Sequence, residues 1–114
     1  MLNRANEQKT EIKKNLRGGE GEIPAKVLIP NEASCGKFKM CAMMTLEPGC
    51  SIGEHAHDPD AEFCYMVDGE MTILDGGEEH TVHPGDAWFC GGGARHYTVN
   101  RSDKTATFMA IVLE

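Results

Sequence analysis

The chain has 114 residues, 40% hydrophobic and 25% charged, with a formal net charge of −7 at pH 7. That length supports one domain with one modest core and excludes a second catalytic domain. The acidic balance disfavours nucleic acids and anionic membrane surfaces, which both need a basic footprint, and leaves small molecules or proteins as partners.

The opening MLNRANEQKTEIKKN is polar and holds no apolar core of signal-peptide length. No later apolar run reaches membrane-spanning length, so a soluble, cytoplasmic protein is expected. Residues 5–16 form the one helix-like stretch, although Ala5, Ile12 and Leu16 barely make a stripe. Residues 1–22 therefore read as an N-terminal arm, mobile or swapped, ahead of a domain at 23–114. RGGEGEI is too glycine-rich for a helix and leads into PAKVLIP, a β-type run ended by Pro30. From there, short segments at 38–47, 61–67, 70–74, 86–90, 97–100 and 106–113 are divided by Glu-Pro-Gly, Asp-Gly, Asp-Gly-Gly and Pro-Gly-Asp. Strand-length runs between such turn signals predict an all-β sandwich or barrel. Gly69, Gly76, Gly77 and Gly85 sit where hairpins must reverse, and the Gly-Gly-Gly at 91–93 allows close backbone approach or a flexible loop.

The five cysteines, Cys35, Cys41, Cys50, Cys64 and Cys90, are odd in number and contain no CxxC pair. Neither a disulfide framework nor a zinc ribbon follows; reduced thiols filling the core are expected. Met40, Met43, Met44 and Met109 read as core or interface fillers.

The chemistry concentrates in GCSIGEHAHDPDAEFCYMVDG, residues 49–69. His55 and His57 are two residues apart, so on a strand both imidazoles face one side. Glu62 follows a break at Asp58-Pro59-Asp60, where the chain can turn and send the next strand back alongside. A divalent ion needs three or four such imidazole and carboxylate groups converging. With Glu62 pointing inward, Cys64 and Met66 share its face and become candidates for pocket lining. Of Trp88 and Phe89, one faces the interior and the other the outside.

Read from Gly49, the string is G-x5-H-x-H-x4-E-x6-G, which resembles the first signature of the cupin superfamily at every position. The second signature, G-x5-P-x-G-x2-H-x3-N, is matched by Gly85, Gly93, His96 and Asn100, with Gly91 standing where the family has proline. That departure is expected to loosen the turn before His96. The resemblance implies a single cupin, or double-stranded β-helix (jelly-roll), barrel with metal ligands His55, His57, Glu62 and His96. It implies a divalent transition metal, manganese, iron, zinc, nickel or cobalt, and leaves the catalytic residues unknown. Three neutral imidazoles and one carboxylate leave roughly +1 around a divalent ion, which suits an anionic or enolisable oxygen ligand. The intact Glu62 argues against the thiol dioxygenases of the superfamily, which typically lack that ligand.

His80 and His83 read as solvated surface residues, and Arg95, next to inward His96, as outward-facing. Arg17 could clamp a substrate carboxylate or phosphate only if the arm folds over the barrel mouth. Two functions follow. The first is a metal-dependent enzyme on a small carboxylate, sugar derivative or enolic compound; the second is a non-catalytic binding or sensing module. Tyr65, Glu70 and Cys64 are the candidate proton-transfer groups. A homodimer is expected, with the C-terminal strand TATFMAIVLE and the arm as pairing material.

Overall fold

The computed structural model describes all 114 residues. Ten strands run β1 (Thr10–Lys14), β2 (Glu22–Val27), β3 (Phe38–Leu46), β4 (Ser51–Ala56), β5 (Ala61–Asp68), β6 (Met71–Asp75), β7 (Glu78–Val82), β8 (Ala87–Cys90), β9 (Arg95–Val99) and β10 (Ala106–Leu113). Helical structure is confined to three short 3-10 turns at Ala5–Glu7, Leu16–Gly18 and Asn31–Ala33. No helix is long and apolar enough to cross a membrane.

The strands form two sheets, a six-stranded one in the order β1-β2-β3-β10-β5-β8 and a four-stranded one in the order β4-β9-β6-β7. Strand alternation explains the sandwich: β10 reads buried and half-buried in turn, sending Ala106, Phe108 and Ala110 inward. Met44, Leu46, Cys64, Met66, Met71, Ile73 and Trp88 complete the core between the sheets. Neither sheet closes on itself, so the expected closed barrel is corrected to a jelly-roll sandwich with open edges at β1, β8, β4 and β7.

Within the stretch expected as helix over 5–16, only Ala5–Glu7 and the start of the turn at Leu16 are helical, as 3-10 turns, and Thr10–Lys14 is β1, antiparallel to β2. The reason is cross-strand pairing, which overrides weak local preference. Lys13 lies opposite Ile23, a fully buried core residue, and so faces inward; Ile12, opposite Pro24, faces outward and is 51% exposed. A second correction concerns β10, expected as material for pairing between subunits. It is bonded to β3 on one side and β5 on the other, and has no free edge to offer. Strands β4 and β7 are further elements that turn signals alone did not delimit.

Cys41, Cys64 and Cys90 fill buried positions and Cys50 is half-buried, whereas Cys35 is exposed; all five are free thiols. Met44 is in the core, Met40 borders the cavity described below, and Met43 and Met109 face outward, opposite one another across β3 and β10. Asn100 is wholly buried and acts as a polar hub. Its Nδ2 donates to the carbonyls of Leu46 at 2.8 Å and Lys104 at 2.7 Å, while its Oδ1 accepts from the Ser102 amide and hydroxyl. The end of β9, which carries His96, is thereby tied to the end of β3.

Candidate metal centre

Strands β4 and β9 pair so that His55 stands directly opposite His96. Side chains directly opposite on one face are close neighbours, and the two Nε2 atoms are 3.0 Å apart. Glu62 comes from β5 in the other sheet. The chain between His57 and Glu62 is therefore a crossover between sheets rather than the hairpin expected at Asp58-Pro59-Asp60, and the carboxylate reaches the imidazoles across the sandwich. Glu62 Oε1 lies 3.2 Å from His96 Nε2 and 3.6 Å from His57 Nε2. One ligand atom from each of His55, His57, Glu62 and His96 falls within 4.8 Å of all the others.

The outer ring nitrogens set what the inner ones present. His55 Nδ1 is 2.7 Å from the Gly53 carbonyl, and His57 Nδ1 is 3.0 Å from Asp60 Oδ1. A carbonyl and a carboxylate only accept, so both Nδ1 atoms carry the proton and both Nε2 atoms face the cluster as lone pairs. Burial pushes the His55 imidazole below its ordinary pKa, the Gly53 bond working against it, so His55 is neutral at pH 7. His57 Nε2 is buried without any hydrogen-bond partner. Imidazole nitrogens and a carboxylate oxygen converging in a largely buried site form a donor set that a cation would satisfy. A metal fits this donor set, and His/Glu ligation suits divalent transition metals.

The cluster lines a cavity of about 140 Å³. Its walls are mostly apolar, with Leu16, Met40, Met44, Ile52, Phe108 and Val112. Lys13, Arg17 and Thr98 add the polar lining besides the cluster. Lys13, Leu16 and Arg17 of the N-terminal segment line the same cavity as the cluster. Cys64 and Met66 share the inward face of Glu62, yet neither borders the cavity; both are sealed into the core behind the cluster. Burial, reinforced by Glu62, pushes the Cys64 thiol far up, so it stays protonated.

Trp88 is buried beside Phe108 and Phe89 is 56% exposed, as strand alternation requires. His80 and His83 are exposed, and Arg95 turns outward to pair with Glu54 at 2.8 Å. Asp60 and Lys13 were not legible as site residues. The His-x-x-Asp spacing around a turn was the available signal for Asp60; Lys13 depends on the pairing of β1 and left none. Gly91, in place of proline, is more than a looser turn. A Cβ there would lie 2.9 Å from Ala61 Cβ, so the bare backbone lets the loop before His96 close on the start of β5.

A Cupin domain family model matches residues 42–112. An oxalate-binding protein of Thermotoga maritima is 33% identical over 99% of this chain and 93% of its own length. The crystal structure of a predicted oxalate decarboxylase from Thermotoga maritima superposes with a TM-score of 0.92 at 33% identity, covering 99% of this chain and 98% of that one. A polyketide cyclase from Streptomyces resistomycificus shares the fold, with a TM-score of 0.81 at 24% identity over 99% of this chain and 80% of that one.

Proposed function

This chain belongs to the cupin family, and from that premise we propose that it holds a divalent transition metal at His55, His57, Glu62 and His96 and binds a small carboxylate beside it. The observation that carries the reading is the buried, unpartnered Nε2 of His57 within a three-imidazole, one-carboxylate cluster. Bound there, manganese, iron, zinc, nickel or cobalt would supply Lewis-acid polarisation of an oxygen ligand. The chain's own residues do the remaining work. Gly53 and Asp60 hold the protons of His55 and His57 on the outer nitrogens, the apolar walls exclude water, and Lys13 and Arg17 in the lining favour an anion. The oxalate-binding relative supports a carboxylate ligand.

We place binding ahead of turnover, because none of the three proton-transfer candidates lines the cavity. Of the three proton-transfer candidates, Tyr65 faces outward, Glu70 is exposed away from the cavity, and Cys64 is a sealed, protonated thiol. The enzyme reading is second, favoured by mixed His/Glu ligation, which is typical of open catalytic sites rather than closed structural ones. Five free thiols support a reducing compartment, the cytoplasm. A homodimer belongs to the same reading, supported by the apolar outer face of the large sheet.

The test is elemental analysis of purified wild-type and His57→Ala protein, followed by addition of isotopically labelled oxalate. About one metal per wild-type chain, lost in His57→Ala with the β-rich circular dichroism intact, is expected. Oxalate uptake without labelled formate or carbon dioxide supports the binding module, and their release supports the enzyme. Full metal content in both His57→Ala and His96→Ala would overturn the ligand set.

A further inference from the structure

We propose that Arg17 and Lys13, delivered by the N-terminal strand and turn, form a second anchor that selects small two-ended acids, one carboxylate at the His/Glu cluster and the other at the two cations. This rests on the metal-and-carboxylate reading above and adds which acids the site takes and what selects them.

The placement of the two cations is built rather than incidental. Lys13 faces inward because β1 pairs with β2 in the register that sets it opposite Ile23. Arg17 follows in the turn after β1, with φ 55° and ψ 28°, a left-handed conformation that a long side chain rarely adopts. Backbone and side-chain hydrogen bonds hold that turn and tie it to β4. Gly18 N donates to Asn15 O at 2.9 Å, Gly19 N to Leu16 O at 2.9 Å, Ser51 N to Glu20 O at 2.9 Å, and Glu20 N to Ser51 Oγ at 2.9 Å. The turn sits directly on β4, where a Cβ on Gly53 would lie 2.1 Å from the Arg17 carbonyl oxygen. The same Gly53 fixes His55. One stretch of backbone therefore sets both the cluster and the distance from it to Arg17.

Charge then points to the ligand. Lys13 is half-buried and paired with Glu11 at 3.0 Å, but the Arg17 guanidinium pairs with no carboxylate of the chain. It borders the same cavity as the cluster. Arg17 thus brings to that cavity an unpaired fork of donors, the group that takes a carboxylate bidentately. Between the two ends the walls are aliphatic, aromatic and thioether, with Thr98 the one uncharged polar side chain. A sugar or polyol would leave hydroxyls unpaired against those walls, whereas a short diacid has polar atoms only at its ends. A cavity of about 140 Å³ keeps the acid short.

The experiment titrates metal-loaded wild type, Arg17→Gly, Arg17→Lys and Lys13→Gln with oxalate, malonate, formate and acetate by calorimetry, at two ionic strengths, with metal content measured in each sample. Glycine suits the left-handed backbone, so Arg17→Gly removes the charge without straining the turn. Expected are a wild-type preference for diacids over monoacids and a fall in diacid affinity of about 10- to 100-fold in Arg17→Gly, with monoacid affinity falling much less, so that the preference is lost. Arg17→Lys should keep part of the preference, Lys13→Gln should weaken it less, and the salt dependence of diacid binding should flatten in Arg17→Gly. Equal diacid affinity in wild type and Arg17→Gly, both holding metal, overturns the anchor and leaves the metal site standing. Wild type that holds no metal, or binds none of the four acids, overturns the reading on which the anchor rests.

Discussion

Asp60 is the residue on which the histidine cluster leans most. Burial alone would push its carboxyl up, but hydrogen bonds from Lys39 at 3.2 Å and His57 at 3.0 Å outweigh that and hold it below the usual carboxylate range. It therefore stays an acceptor for His57 Nδ1–H, and the lone pair of Nε2 stays turned to the cluster. Carboxylates that orient metal-bound histidines in this way are worth about 10- to 100-fold in metal affinity. Asp60→Ala is accordingly expected to weaken metal binding by about that factor without unfolding the protein, read by competition with a chelator of known strength. Unchanged affinity would mean that packing alone orients the ring. His96 makes the contrast, because its Nδ1 is buried without a partner. Its ring is positioned by β9, which Asn100 anchors, and by no hydrogen bond of its own on the outer side.

At the scale of elements, the junction between the N-terminal turn and β4 positions the Leu16 and Arg17 part of the cavity wall. Gly19 and Gly53 meet there without side chains, and a Cβ on Gly19 would come within 2.1 Å of the Ser51 carbonyl oxygen. Neither glycine needs positive φ, so the requirement is room rather than backbone freedom. Gly53→Ala should cost about 1–3 kcal/mol, as overpacking does, and lower the melting temperature by several degrees. It should also displace Arg17 and disturb His55 together, seen as coupled shifts of both residues' NMR signals; a shift of His55 alone would show that the turn is not held through Gly53. The same junction marks where sequence reading ran out. The His55, His57 and Glu62 spacing was legible because it is local to two strands and a loop, and the motif match added His96. The strand state of TEIKK was not, since nothing in Thr10–Lys14 alternates until β2 supplies the partner. Closure failed for a related reason: turn signals count strands and say nothing about which distant strands become neighbours, so β10 between β3 and β5 could not be read from its own residues.

For the whole molecule, the open question is what covers the outside of the six-stranded sheet. Alternation that sends Cys64, Met66, Trp88 and Phe108 inward sends Phe63, Tyr65, Val67, Phe89, Met109 and Ile111 outward, and the register makes them contiguous. Phe63 lies opposite Phe89, Ile111 opposite Phe63, and Met109 opposite Tyr65. Phe89, Val67 and Tyr65 are 56%, 41% and 40% exposed. A chain with net charge −7 repels its own copies over most of its surface, so association must run through a face with few charges. This face is such a surface, since its central residues carry none. Removing one phenylalanine from water contributes about 1.5–3 kcal/mol, and a two-fold arrangement counts each contact twice. The proposed dimer should therefore scatter light as twice the 12.5 kDa chain, and Phe89→Glu should return it to the single-chain mass with metal content unchanged. A wild-type mass of one chain would sink the dimer. A Phe89→Glu protein that remains dimeric would move the contact to an open sheet edge, where backbone pairing rather than apolar burial joins the copies.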